Sequence, residues 1–156
     1  MAHTDSPKIY IPVPLFFIAF FYFSLLAQNT FYLSYDLLQT NAAQAVAWIF
    51  IGVGAAHIGA AWAQFIKTAN SVTTIRPAAS LQVGGVYAFS RNPMYIGFFF
   101  LYAGAAVLWG NWWTFILMPF LALVIDLYVV RREEKYLRRT FGKAYKEYKR
   151  NVRRWL

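Results

Sequence analysis

The sequence predicts an all-α integral membrane protein with about four transmembrane helices and a C-terminal amphipathic helix on the cytoplasmic side. Three observations carry that class. Hydrophobic residues make up 60% of the 156 and charged residues only 13%, with a mean hydropathy of +0.42, far from the balance of a soluble globular chain. Aromatic residues reach 21%, with 15 Phe, 11 Tyr and 6 Trp, more than a core of this size can hide from water but acceptable to lipid and its interfaces. Charge is distributed unevenly: Lys8, Lys67, Arg76 and Arg91 precede residue 131 and the other 11 of the 15 cations run from Arg131 onward, so the net charge of +9 belongs to the tail. A soluble enzyme and a disordered tail are both excluded.

A helix needs about 20 apolar residues to cross the hydrocarbon core, and residues 13–33, 45–66, 94–109 and 112–130 come near that length. The first follows a single Lys, starts with Pro12 and Pro14 and lacks a small-residue cleavage site, so it reads as a retained span and not a signal peptide. In the second, Gly52, Gly54, Ala56, Gly59, Ala60 and Ala63 form a small-residue face that lets a neighbouring backbone approach. His57 on that helix reads as a hydrogen-bonded interior residue. Gly97 and Gly104 interrupt the third, and only Gly110 and Asn111 separate it from the fourth, which demands a tight antiparallel hairpin.

Loop charges orient the bundle. Lys8, the stretch holding Lys67, Arg76 and Arg91, and the basic tail share one side, while the loops around Asp36 and Asn111 carry no Lys or Arg. The positive-inside rule then puts both termini in the cytoplasm of a plasma (inner) membrane protein. Trp48, Trp62, Trp109, Trp112, Trp113 and Trp155 fall near or beyond span ends, as interfacial indoles do. One domain is expected: residues 1–66 supply two helices, and residues 67–156 supply a loop, the hairpin and the basic helix. In that last helix Leu137, Phe141, Tyr145, Tyr148, Val152 and Trp155 recur every three or four residues, with a break expected at Gly142.

With no Cys and only His3 and His57, thiol chemistry is excluded and a His-rich metal centre is not expected. Two constellations remain. Residues 67–92 form a polar loop with Pro77 and Gly84-Gly85 and no helical period, long enough in so small a protein to suggest function. It runs directly into GGVYAFSRNPMYIG at residues 84–97. There Asn92 reads as a helix N-cap and Pro93 as the first helical residue, and Arg91 and Asn92 gather with Tyr87 and Tyr95 at the membrane boundary beside glycines that permit a ligand's approach. Lipid-phosphate anchoring of Arg91 is the competing reading. The second constellation, RREEKYL from Arg131, lies where the fourth span leaves the bilayer. Glu133 and Glu134 fit a solvated helix face with pairs such as Glu134 to Arg138, yet Asp126 lies seven residues before Glu133, on about the same helical face. Asp126 reads equally as a member of this site or as a structural partner for an interior polar group or a cation.

GVYAFSRNPMYIG, a hydrophobic hairpin and then EEKYLRRTFGKAYKEYKRNVRRWL together resemble the isoprenylcysteine carboxyl methyltransferase and phospholipid methyltransferase family of integral membrane enzymes. Their pattern is Gly-x-Tyr/Phe, Arg-His-Pro-x-Tyr-x-Gly, two short spans, and Glu-Glu-x-x-Leu-x-x-x-Phe-Gly-x-x-Tyr-x-x-Tyr. The resemblance covers residues 73–155. It implies that Arg91, Asn92, Pro93, Tyr95 and Gly97, with Tyr87 upstream and Glu133 and Glu134 downstream, enclose S-adenosylmethionine on the cytoplasmic side. It implies further that a lipophilic methyl acceptor enters from the bilayer. Within that set Arg91, Tyr95 and Glu133 are the expected catalytic residues. Asn92 replaces the family's His and cannot act as a base near neutral pH.

The residues suit that chemistry on their own terms. A sulfonium with an amino-acid head needs carboxylate, hydrogen-bond donors and aromatic surface, which Glu133, Glu134, Arg91, Tyr87 and Tyr95 offer. Methyl transfer requires neither a metal nor a covalent protein nucleophile. Two alternatives stand beside it: an NADPH-dependent membrane reductase, for which no motif for the phosphates is evident, and a non-enzymatic adaptor whose basic tail binds anionic lipid. Anionic lipid at that tail is expected in either case. Nucleic acid is not, because the cations adjoin a membrane exit.

Overall fold

A computed structural model describes residues 6–68 and 78–156. His3, and within the long loop Arg76 and Pro77, lie outside the described residues. The described chain is all helical. Helix α1 spans Val13–Thr30 with prolines at its start, and α2 spans Asn41–Lys67, its first turn capped by the Thr40 hydroxyl, which accepts from the Ala43 amide. Helix α3, Pro93–Leu108, starts on proline. Helix α4, Trp112–Val124, passes through a π-helical turn at Ile125–Val130 into α5, Arg131–Asn151. Among the described residues α1, α2 and the continuous α4–α5 helix are long and apolar enough to cross a membrane, and α3 is a shorter apolar helix of 16 residues.

Outward-facing residues of these helices are apolar. Ile18, Phe23, Trp48, Ile49 and Phe120 are each 58% to 64% exposed, a surface that water would penalise and a bilayer accepts. The inward faces meet in a cluster of Val13, Phe17, Tyr102, Leu121, Ile125 and Val129.

Small residues set the α2–α3 contact. A Cβ on Gly54 would sit 2.7 Å from the Gly97 carbonyl oxygen, one on Gly97 would sit 2.8 Å from the Gly54 oxygen, and one on Gly104 would sit 2.9 Å from that of Ala47. The backbones therefore touch along this seam. Gly52 and Gly59, expected on the same face, look onto open space. Gly110, at φ +63, makes the hairpin turn, and Asn111 caps α4 while its amide donates to the Ser24 hydroxyl.

Helix α2 packs chiefly on α3, and α1 chiefly on α4. The first two helices therefore stand on opposite flanks of the hairpin. The start of α1, the end of α2, the start of α3 and the start of α5 meet at one end of the bundle, and the functional motifs are there.

Candidate active site

The approach to α3 is built to present side chains. A short 3-10 turn, Gly85–Ala88, begins on Gly85 at φ +60 and buries Tyr87, whose carbonyl accepts from the Tyr148 hydroxyl at 2.7 Å. Pro93 is buried at the first position of α3. Asn92 precedes it without capping it: the Asn92 amide nitrogen donates to the Arg154 carbonyl at 2.8 Å. The Arg91 amide likewise donates to the Arg153 carbonyl at 3.0 Å. The chain beyond α5 thus folds back as a strap over the start of α3, and this strap engages the Asn92 side chain that a cap would use.

Glu133 and Glu134 are adjacent in sequence and divided in space. Glu133 accepts from the Tyr95 hydroxyl at 2.8 Å. Burial, opposed by the Tyr95 hydrogen bond and aided by the charge of Glu134, pushes its carboxyl up to about 7. Glu134 points instead into a group of cations. Arg154 forks onto both its oxygens at 2.9 and 3.0 Å, Arg91 Nη1 donates at 2.7 Å and Lys149 Nζ approaches to 3.5 Å. Burial would raise this carboxyl, but the Arg154 hydrogen bonds and the charges of Arg91, Arg154 and Lys149 outweigh it and hold it below the ordinary carboxylate range. Arg91 also donates to the Tyr145 hydroxyl at 3.3 Å.

Asp126 belongs with Glu134 and not, as the seven-residue spacing suggested, with Glu133. Its carboxylate pairs with Arg154 and Arg131, both at 3.0 Å. The π-helical turn Ile125–Val130, which holds Asp126, inserts one extra residue into the repeat, so the helical face of Asp126 continues to position 134. Of the two readings left open for Asp126, the structure contains the structural one: it pairs with cations and does not line the cavity that Glu133 lines. Glu134 has Arg91, Arg154 and Lys149 as its partners, in place of the expected Arg138.

Glu133, Tyr95, Tyr87, Arg91 and Asn92 line one cavity of about 410 Å³. Its remaining wall is mostly apolar: Pro12 and the first residues of α1, Val13 and Pro14, then Ile58, Trp62 and Phe65 of α2, Met94 and Phe98 of α3, and Leu137 of α5. Arg91 is its one cation and Glu133 its one carboxylate among the described residues. Burial, with the charge of Glu133 and the phenol of Tyr148 adding to it, holds the Tyr87 phenol well above its ordinary value, so it stays a proton donor. Pro93, Gly97 and Glu134 do not line the cavity. Gly97 lies in the α2–α3 seam instead.

Two cavity residues escaped the sequence reading. Gln82 is buried and its amide nitrogen donates to the Ser80 hydroxyl at 3.1 Å, leaving its oxygen without a partner. Tyr136 accepts from the Ala78 amide at 2.9 Å. A lone Gln in an aperiodic loop and a Tyr inside a basic run carry no spacing signal. Arg91 Nε is likewise buried and unpartnered.

Comparison with known proteins bears on this arrangement. The Protein-S-isoprenylcysteine O-methyltransferase of Schizosaccharomyces pombe is 33% identical over 72 residues, which are 46% of this chain and 30% of that protein. The chain therefore spans under a third of that relative's length. An uncharacterized protein of Haemophilus influenzae is 43% identical over 53 residues, 33% of this chain and 84% of that protein. No solved structure matches. The model of the phospholipid methyltransferase family matches residues 42–144, which take in nearly all of α2, the motif before α3, the hairpin and the Glu133–Glu134 start of the second motif. On that match, over well more than half of its length, this membrane-type helical chain belongs to the phospholipid methyltransferase family.

Proposed function

We propose that this protein is a membrane-embedded methyltransferase that moves a methyl group from S-adenosylmethionine to a lipophilic acceptor at the cytoplasmic face. The observation that carries the reading is the cavity, where Tyr95 and Glu133 of two separate motifs are joined by a hydrogen bond beside Arg91. The donor set fits the cofactor. Gln82 offers an unpartnered acceptor and Arg91 Nε an unpartnered donor, both buried at the cavity, where each would otherwise cost about 1–3 kcal/mol. Glu133 supplies negative charge for a cationic ligand, and Tyr87 supplies an aromatic face. When bound, the cofactor would supply a methyl group activated for transfer by its sulfonium, and Glu133, Arg91, Gln82, Tyr87 and Tyr95 are the residues that would hold it.

The chain's own residues position and exclude. Glu133, held by Tyr95, binds the cationic end of the cofactor. Arg91 orients the acceptor's polar head, and Glu134 acts through Arg91 as a positioning residue by fixing its guanidinium. Apolar walls keep water out, and alignment in such a site can supply roughly 7–11 kcal/mol of rate enhancement. Entry of the acceptor from the bilayer is supported by Pro12, Pro14 and Trp62, which border the cavity and are exposed at the start of α1 and the end of α2.

Calorimetry on the purified chain tests the reading. S-adenosylmethionine or its demethylated product should bind without added metal, and NADPH should bind more weakly because the cavity offers one guanidinium to its phosphates. NADPH binding in the absence of S-adenosylmethionine binding would replace this function with a reductase. Labelled S-adenosylmethionine incubated with a lipid extract would then identify the acceptor.

A further inference from the structure

A second recess lies outside the cavity, on the opposite side of the α5 start. Arg131, Lys135 and Arg138 come from the first turns of α5, and Lys149 and Arg154 from its far end and the strap. Gly142, at φ 51 and ψ −114, bends α5 so that the far end returns over the near one. A cleft of about 460 Å³ is left between them. Glu134 is the one carboxylate lining it, and its oxygens are already taken by Arg91, Arg154 and Lys149. Asp126 beneath is shared by Arg131 and Arg154.

Lys135 and Arg138 pair with no carboxylate among the described residues, and both are exposed. Five cations converging on one saturated carboxylate repel one another, and the energy is recovered when an anion enters. Arginine and lysine together suit a phosphate, by planar fork and by point charge. Arg131 directly follows Val130, the last residue of the buried apolar run, so the cleft opens at headgroup height.

We propose that this cleft binds the phosphate of an anionic membrane lipid, at a site separate from the cavity. Lys135 and Arg138 are its principal ligands, and Arg131 and Arg154 hold its floor. The occupied cleft links the near half of α5 to the strap and so stabilises the arrangement that presents Glu134 to Arg91.

The test uses the full chain in neutral detergent micelles and reads the thermal midpoint against ligand concentration. Four probes are compared: dioctanoyl phosphatidylglycerol, dioctanoyl phosphatidylcholine, glycerol 3-phosphate and inorganic phosphate. The anionic lipid should raise the midpoint saturably while the other three, at equal concentration, should not. In Lys135→Ala/Arg138→Ala half-saturation should need about thirtyfold more lipid, or about 2 kcal/mol at 1.4 kcal/mol per tenfold. Arg132→Ala, whose guanidinium lies over the Tyr128 ring and donates to the Lys8 carbonyl, should retain the wild-type response. An equal response to phosphatidylcholine, an unchanged double variant, or a response to soluble phosphate as large as that to lipid would each overturn the proposal. S-adenosylmethionine binding measured on the same samples keeps this outcome distinct from that of the proposed function.

Discussion

Glu133 and Glu134 differ by one position and by everything around them, so their substitutions should separate cleanly. Glu133→Gln keeps the shape but removes the charge, and should weaken S-adenosylmethionine binding about 10- to 100-fold, the worth of a charge-assisted hydrogen bond. Calorimetry checks it. The same carboxyl sets a pH dependence. Its pKa rises from 4.5 to about 7 on folding, so the folded state holds a proton that the unfolded chain releases. That contribution to stability is fully present below about pH 4.5 and is lost as pH rises to about 7. A thermal midpoint measured across this window should fall for the wild type and fall less for Glu133→Gln. Cofactor affinity should move the other way, because the ionised carboxylate is the binding form. Arg91→Ala should cut turnover about 100- to 1,000-fold while much cofactor binding survives, and Arg91→Lys should rescue it poorly because an ammonium lacks the planar fork. Steady-state rates beside binding constants decide this, and full activity in Arg91→Ala would return Arg91 to a lipid-phosphate anchor.

At the scale of elements, glycines with one chemistry serve different ends. Gly54→Val places atoms against the backbone of α3 and should cost about 1–3 kcal/mol or more. Gly59→Ala, five residues along the same helix, meets nothing within 4 Å and should be tolerated. Gly142→Ala also has open space, yet its positive φ should cost about 1 kcal/mol or more. Thermal midpoints of the three variants in micelles rank them. Spacing shows a small-residue face, but it cannot tell which glycines meet a neighbour, since that depends on where α3 crosses.

The strap after α5 is an element that sequence patterning cannot reveal. Removing residues 153–156 deletes the carbonyl acceptors of Arg91 and Asn92 and the guanidinium that bridges Asp126 and Glu134. The truncated chain should be destabilised by several kcal/mol, because buried Glu134 loses its bidentate partner. A lower thermal midpoint and faster proteolysis near α3 are the readouts.

For the whole molecule, the hairpin and the meeting of both motifs at one end of the bundle require an even number of crossings. Reporter fusions at Gly110 and Leu156 should report opposite sides of the membrane. Equal signals would mean that α3 and α4 form a re-entrant hairpin.

What the sequence determined by itself was the apolar all-helical class and the approximate places of the four apolar segments. Those properties follow from hydropathy, the 3.6-residue repeat and local turn chemistry, which depend only on neighbours along the chain. Tertiary structure alone decided that Glu133 faces the cavity while Glu134 faces cations, that Asp126 joins the latter through a π-helical turn, and that Gln82 lines the site. Each of these depends on a helix register or a chain crossing set by contacts between residues tens of positions apart, and no periodicity in the sequence encodes such contacts.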